Sequence, residues 1–211
     1  MIKTIIFDLG GVIVTINQEE AIQRFRALGI SNIEYYLDCY TQSGIFGQLE
    51  EGLISAEDFR RDISKLCGRE VSFDECKHAW LGYRADVPER NLEALRHLRA
   101  QGYRVCLLSN TNPYMMSWAE SPEFDGHGHS INDYFDALYK SYELGVMKPS
   151  ELFFQKVLLA EKVLPSECIF IDDGTRNVAA ASELGIPTIL AENGKDWTET
   201  LFAQLTKINL S

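Results

Sequence analysis

Four places in the 211-residue sequence set a chemically loaded side chain at or just beyond an apolar run. Asp8 follows Ile5-Ile6-Phe7, Ser109-Asn110 follows residues 104–108, Lys148 lies a few residues past 137–140, and Asp172-Asp173 follows 168–171. Their chemistries are complementary. Carboxylates such as Asp8 and Asp173 are hard oxygen ligands suited to Mg2+, which takes one or two protein carboxylates and keeps several waters. Lys148 supplies a point charge, and the Ser109 hydroxyl with neighbouring backbone N–H groups supplies donors for a phosphoryl oxygen. A carboxylate ending a buried run, as Asp8 does, costs free energy unless a metal, hydrogen bonds or a covalent role compensates. Gly10-Gly11 follow at once, so backbone can approach a ligand closely. Each residue also has an ordinary structural use: Asp8, Ser109-Asn110 and the paired aspartates as caps, Lys148 before Pro149 as a solvated turn. Their joint occurrence, in order and each beside a strand, is what points to a site.

The elements that must position these groups can be read from periodicity. Residues 5–7 have the length and β-branching of a parallel strand covered on both faces. Asn17 caps a helix with Glu19 and Glu20 in its first turn and Gly29 as its stop. Residues 32–40 read as an aromatic helix, Ser55-Ala56-Glu57-Asp58 opens another with a capping box, and 72–80 reads as a fourth. None of these has a strand period, so residues 16–86 form an all-helical block. From Pro88 onward helix and strand alternate: helices at 89–101, 150–163, 177–184 and 198–206, strands at 104–108, 137–140, 168–171 and 187–190. That alternation implies an α/β fold with a doubly wound parallel sheet and right-handed crossovers. Residues 1–15 and 87–211 then form the Rossmann-like sheet domain, with 16–86 inserted as a helical cap. Parallel strands would bring the four polar groups to one rim, where open α/β sheets bind ligands.

Composition narrows the partners. The net charge of −11 and pI near 4.8 argue against nucleic acid, whose phosphates need a basic face. An anionic substrate would need a bound cation and a local positive patch. The five scattered cysteines, without a C-x-x-C pair, fit a reducing, cytoplasmic setting. The apolar start of the chain is interrupted by Asp8 and lacks a small-residue cleavage site, so a secretory signal is not expected. No run approaches the ~18 apolar residues of a membrane span. A monomer or a homodimer fits equally.

Phe7-Asp8-Leu9-Gly10-Gly11-Val12, Leu108-Ser109-Asn110, Lys148-Pro149 and Phe170-Ile171-Asp172-Asp173 through Asn177 resemble the four ordered motifs of the haloacid dehalogenase-like hydrolase superfamily. The resemblance spans essentially the whole chain, and the branch it is most similar to is the sugar-phosphatase-like one beginning FDLGG or FDLGN, with a small helical cap. It implies that Asp8 is a nucleophile forming an aspartyl-phosphate. Ser109, the backbone of Asn110 and Gly11 would bind phosphoryl oxygens, and Lys148 would bridge Asp8 and phosphate. Asp173, with Asp172, would hold Mg2+ together with Asp8 and the Gly10 carbonyl. The implied substrate is a small phosphorylated metabolite, most simply a sugar phosphate.

One departure stands out. Most phosphatases of this superfamily carry a second aspartate two positions after the nucleophile as proton shuttle; here that position is Gly10. General acid–base catalysis is typically worth about 10^2- to 10^4-fold, so slow turnover, an undemanding leaving group, or a substitute from cap or solvent is expected. Two other functions are compatible with Gly10: a 2-haloacid dehalogenase, which needs neither acid nor metal, and a phosphate-binding regulatory protein with little turnover. Asp172-Asp173 argues against the first and the retained Asp8, Lys148 and Asp173 against the second. Specificity is expected in the cap, with Phe46, Gln48 and Glu50 as candidates in a link between cap helices, and Tyr35, Tyr36 and Tyr40 as possible stacking partners or packing. His127 and His129 resemble a metal pair, although their glycine-rich setting favours a surface loop. Trp80, Trp118 and Trp197 give no functional signal.

Overall fold

The first strand, β1 (Thr4–Phe7), is buried throughout and is the middle of a five-stranded sheet. The computed structural model describes residues 1–37 and 42–209. The sheet partners are β4 (Arg104–Ser109), β5 (Ala137–Lys140), β6 (Cys168–Asp172) and β7 (Thr188–Leu190), in the order β5-β4-β1-β6-β7 with every pair parallel. Alternate residues feed two apolar layers, as the two-residue strand period requires. Ile5, Phe7, Val105, Leu107, Ile169 and Ile171 face one, while Ile6, Cys106, Leu108, Cys168 and Phe170 face the other. Burying each large side chain of this kind contributes about 1.5–3 kcal/mol, and the three central strands are fixed accordingly. The chain steps outward from β1 through β4 to β5, then returns to β6 on the opposite side, so the carboxyl ends of β4, β1 and β6 lie side by side at the reversal of strand order, the position where such sheets bind ligands.

Between β1 and β4 lie α1 (Gln18–Leu28), α2 (Gly44–Glu50), α3 (Ala56–Cys67), α4 (Phe73–Trp80) and then α5 (Glu89–Ala100). The later helices are α6 (Pro113–Ala119), the single turn α7 (Ser141–Leu144), α8 (Glu151–Glu161), α9 (Thr175–Glu183) and α10 (Thr198–Asn209). Helix α1 starts where Asn17 Oδ1 accepts the Glu20 N–H and stops at Gly29, whose φ of 122° is open to glycine. Capping boxes begin α3 at Ser55 and α4 at Ser72. Helices α1 to α4 share an apolar cluster that includes Phe25, Phe46, Phe59 and Trp80, and Tyr114 of α6 joins it. The Tyr114 hydroxyl donates to the Ala56 carbonyl at 2.6 Å, tying α6 to the start of α3.

Four expectations need correction. Residues 16–86 are not all helical, because Thr15–Ile16 (β2) and Arg84–Asp86 (β3) pair antiparallel. These segments are too short to show a strand period. The link carrying Phe46, Gln48 and Glu50 is itself a helix, α2. In the expected helix at 32–40, the described part is a single 3-10 turn, Ile33–Tyr35; Tyr40, like Cys39, lies outside the described residues. The strand at 104–108 runs one residue further, so Ser109 ends β4 rather than following it. The region left open after Pro113 contains α6, capped by Asn112 Oδ1 on the N–H groups of Tyr114 and Met115. Cys67, Cys76, Cys106 and Cys168 are free thiols. Among the described residues no helix is long and apolar enough to cross a membrane.

Candidate active site

The carboxyl ends of β1 and β6 bring two acidic side chains onto one ammonium. Lys148 Nζ lies 2.8 Å from Asp8 Oδ1 and 2.6 Å from Asp172 Oδ2, with its side chain almost wholly buried. Its position is set through its backbone: the Asn110 side chain accepts the Lys148 N–H at 2.8 Å and donates to the Lys148 carbonyl at 2.9 Å. The end of β4 thus clamps the loop before α8. Asp172 is anchored in turn, its Oδ1 accepting the Gly174 N–H at 2.7 Å and Asn177 Nδ2 at 2.9 Å. Both Asp172 oxygens are therefore occupied with organising the cluster. Asp173 follows it and packs over Gly11.

Gly11 explains how that carboxylate gets so close. Its φ is +74°, and a Cβ there would sit 2.1 Å from Asp173 Oδ2. Its N–H donates to Val14 O at 2.8 Å, so the expected donation to phosphate gives way to a turn bond, and the space it leaves is what Asp173 uses. The Asn110 side chain holds Lys148, whereas the phosphate role expected of this residue belongs to its backbone. Ser109 is buried beside it at the end of β4.

Asp8, Asp172 and Asp173 each bring a carboxylate oxygen within 4.8 Å of the other two. Burial, chiefly, pushes the Asp8 carboxyl up to about 6; the Asp172 charge adds to that and the Lys148 ammonium opposes it. Asp173 is raised to about 7 by burial and then by the charges of Asp8 and Asp172. Burial disfavours the Lys148 charge, but Asp172 and Asp8 outweigh it and raise its pKa. Negative charge thus exceeds positive charge in a partly desolvated pocket, and the donors are all hard oxygens. This is the chemistry of a divalent-cation site.

Asp8, Ser109, Asn110, Lys148 and Asp173 line a cavity of about 120 Å³ whose other walls include Gly10, Glu50, Trp80, Tyr83, Asn112 and Asn177. Of the three specificity candidates, Glu50 reaches it. Phe46 does not: it is fully buried and packs edge-on against Phe25 and Phe59. Gln48 is exposed on the other side of α2. Helical periodicity separates them, because 46 and 50 share a face and 48 points away. Tyr36 packs on Phe46, and Tyr35 is exposed. Trp80 forms a wall of the cavity. Asn112 is another wall residue not singled out from the sequence, and its signal is that of a cap residue standing directly before Pro113. His127 and His129 belong to a loop folded around Asp125, whose Oδ1 accepts both backbone N–H groups and whose Oδ2 contacts His129 Nδ1 at 2.7 Å. Among the described residues the only cluster of three or more metal-ligating side chains is that of Asp8, Asp172 and Asp173.

Residues 2–185 match the haloacid dehalogenase-like hydrolase family. The chain belongs to the haloacid dehalogenase-like hydrolases. It is 49% identical over 201 residues to the D-ribitol-5-phosphate phosphatase of Bacteroides thetaiotaomicron, covering 95% of this hydrolase and 97% of that protein. It superposes with a TM-score of 0.92 and 39% identity on a HAD-like hydrolase from Porphyromonas gingivalis, over 97% of this chain and 98% of that one. A HAD family enzyme from Bacteroides thetaiotaomicron, solved with magnesium and inorganic phosphate, matches with a TM-score of 0.85 and 36% identity over 95% and 99% of the two chains. The parallel sheet is thus that of a hydrolase family.

Proposed function

We propose that this hydrolase is a Mg2+-dependent phosphatase of small phosphomonoesters, a sugar or polyol phosphate, working through an aspartyl-phosphate on Asp8. The observation that carries the reading is the Lys148 ammonium seated between Asp8 and Asp172 at the edge of a three-carboxylate cluster. The hydrolase's relationship to a D-ribitol-5-phosphate phosphatase and to an enzyme solved with magnesium and phosphate supports it.

An Asp8 oxygen bonds to phosphorus while the ester P–O bond breaks, and the alkoxide leaves with a proton. Water then bonds to phosphorus as the P–O bond to Asp8 breaks, giving inorganic phosphate and the free carboxylate. Lys148 aligns Asp8 and offsets its repulsion from the phosphoryl oxygens. Ser109 and the backbone at Asn110 receive those oxygens at the end of β4. Asp8, Asp173 and the Gly10 carbonyl would hold Mg2+, with Asp172 supporting them; the ion supplies charge neutralisation for the transferring group. Residues 16–86 act as the cap over this rim, and α2 delivers Glu50 into it.

Phosphate release from D-ribitol 5-phosphate and a panel of sugar phosphates, with Mg2+ and with EDTA, tests the proposal. Release that requires Mg2+ and vanishes in Asp8→Asn is expected. Metal-indifferent halide release from a 2-haloacid would assign dehalogenase chemistry instead, and tight phosphate binding with no turnover on any ester would assign a binder.

A further inference from the structure

The nucleophile's second neighbour is a glycine, so β1 provides no proton shuttle. That position is also crowded. A Cβ on Gly10 would lie 3.2 Å from Ile16 Cγ2 on β2, so a side chain there would press on the Ile16 side chain. Across the cavity the chain supplies a different carboxyl. Glu50, the last residue of α2, is about nine-tenths buried, faces no cation within ion-pairing distance among the described residues, and lines the same cavity as Asp8, Ser109 and Lys148. The cavity wall beside it carries two donors: the Asn112 amide sits against it, its Nδ2 without a hydrogen bond to any described residue, and Trp80 Nε1 is likewise buried without a partner among them. A buried carboxyl lacking a cationic partner is costly unless it is protonated or used.

We propose that Glu50 is the general acid and base of the reaction, delivered by the cap in place of the aspartate missing at position 10. The inference rests on the phosphatase reading and goes beyond it by naming where the proton travels. In the first half, as the Asp8 oxygen bonds to phosphorus and the P–O bond to the alcohol breaks, the Glu50 carboxylic acid gives its proton to the departing oxygen. In the second half, the Glu50 carboxylate takes a proton from the attacking water while that oxygen bonds to phosphorus and the bond to Asp8 breaks. One turnover therefore returns Glu50 protonated and Asp8 free. Burial, with the Asp8 charge adding to it against the Asn112 amide, raises the Glu50 carboxyl to about 7, a value near that of an efficient acid–base group at neutral pH. Because the shuttle sits on the cap, it meets the leaving oxygen only when α2 lies over the rim, and proton transfer is coupled to closure.

Glu50→Gln, which keeps size and hydrogen-bonding capacity but cannot exchange the proton, is compared with wild type on p-nitrophenyl phosphate and on D-ribitol 5-phosphate with Mg2+. The nitrophenolate needs no acid to depart, so the variant should release a burst of it equal to the enzyme present. Steady turnover should then be about 10^2- to 10^4-fold slower, with KM nearly unchanged and phosphorylated Asp8 accumulating. With the polyol phosphate no burst is expected, and kcat should fall by a similar factor. Glu50→Asp, retaining the acid on a shorter arm, should recover part of the turnover, and it remains informative if the glutamine variant folds poorly. A Glu50→Gln protein that keeps kcat within a few-fold, or that raises KM while keeping kcat, overturns the proposal and makes Glu50 a substrate-hydroxyl ligand. A wild-type protein that hydrolyses neither ester removes the phosphatase reading itself.

Discussion

At the scale of single residues the site depends as much on missing atoms as on present ones. Asp173 occupies the volume that any side chain at position 11 would need, and the φ of +74° there adds a backbone cost of about 1–2 kcal/mol for an L-residue in the left-handed region. Gly11→Ala is therefore expected to displace Asp173 and weaken Mg2+ binding at least about tenfold, a loss corresponding to about 1.4 kcal/mol. Calorimetric Mg2+ titration of the variant checks this, and an unchanged affinity would separate Asp173 from the ion. That glycine is visible in the sequence three residues after the first acidic residue, where the expectation is a close backbone approach to a ligand. What approaches is a carboxylate from β6, which no local spacing could reveal.

At the scale of elements, β4 and the loop before α8 hold each other through one side chain. Removing the Asn110 amide strands the N–H and C=O of Lys148 that it now pairs, in a buried setting where each unsatisfied group costs about 1–3 kcal/mol. Asn110→Ala should thus lower kcat more than it raises KM, because the ammonium loses its alignment on Asp8 while the cavity walls stay. Steady-state kinetics on the phosphate ester decides this, and a pure KM effect would mean that the amide serves substrate binding. The sequence marked most of these elements. Apolar runs with β-branching gave the sheet strands, and the capping residues Asn17, Ser55 and Ser72 marked starts that the structure repeats. Short elements escaped: β2 and β3 are two and three residues long, below the length at which any period exists. Helix α2 is only seven residues long, about two turns, and carries Gly44 and Gly47, which weaken a helical signal.

Over the whole molecule, acidity and function pull against each other. A net charge of −11 surrounds a cavity whose carboxyls are raised from ordinary values of 3.8 and 4.5, to about 6 at Asp8, about 7 at Glu50 and about 7 at Asp173. In the metal-free protein the folded state then holds more protons than the unfolded chain between about pH 4 and pH 7, so this contribution to stability is complete below that window and is lost as pH rises through it. Thermal melts in EDTA should fall in Tm from about pH 5 to pH 8, and Mg2+ should flatten the decline by favouring the charged carboxylates. A melt in EDTA that rises across this range would show that the cluster is not protonated. The amino-acid sequence by itself determined the parallel sheet and the order of the polar groups at its strand ends, because apolar run length, capping chemistry and helix–strand alternation are local properties of the chain. Only the tertiary structure decided that Asp172 organises Lys148, that Gly11 makes room for Asp173, and that Glu50, rather than Phe46 or Gln48, enters the cavity. Those outcomes depend on which faces of distant elements meet, and that is set by packing between residues far apart in the sequence.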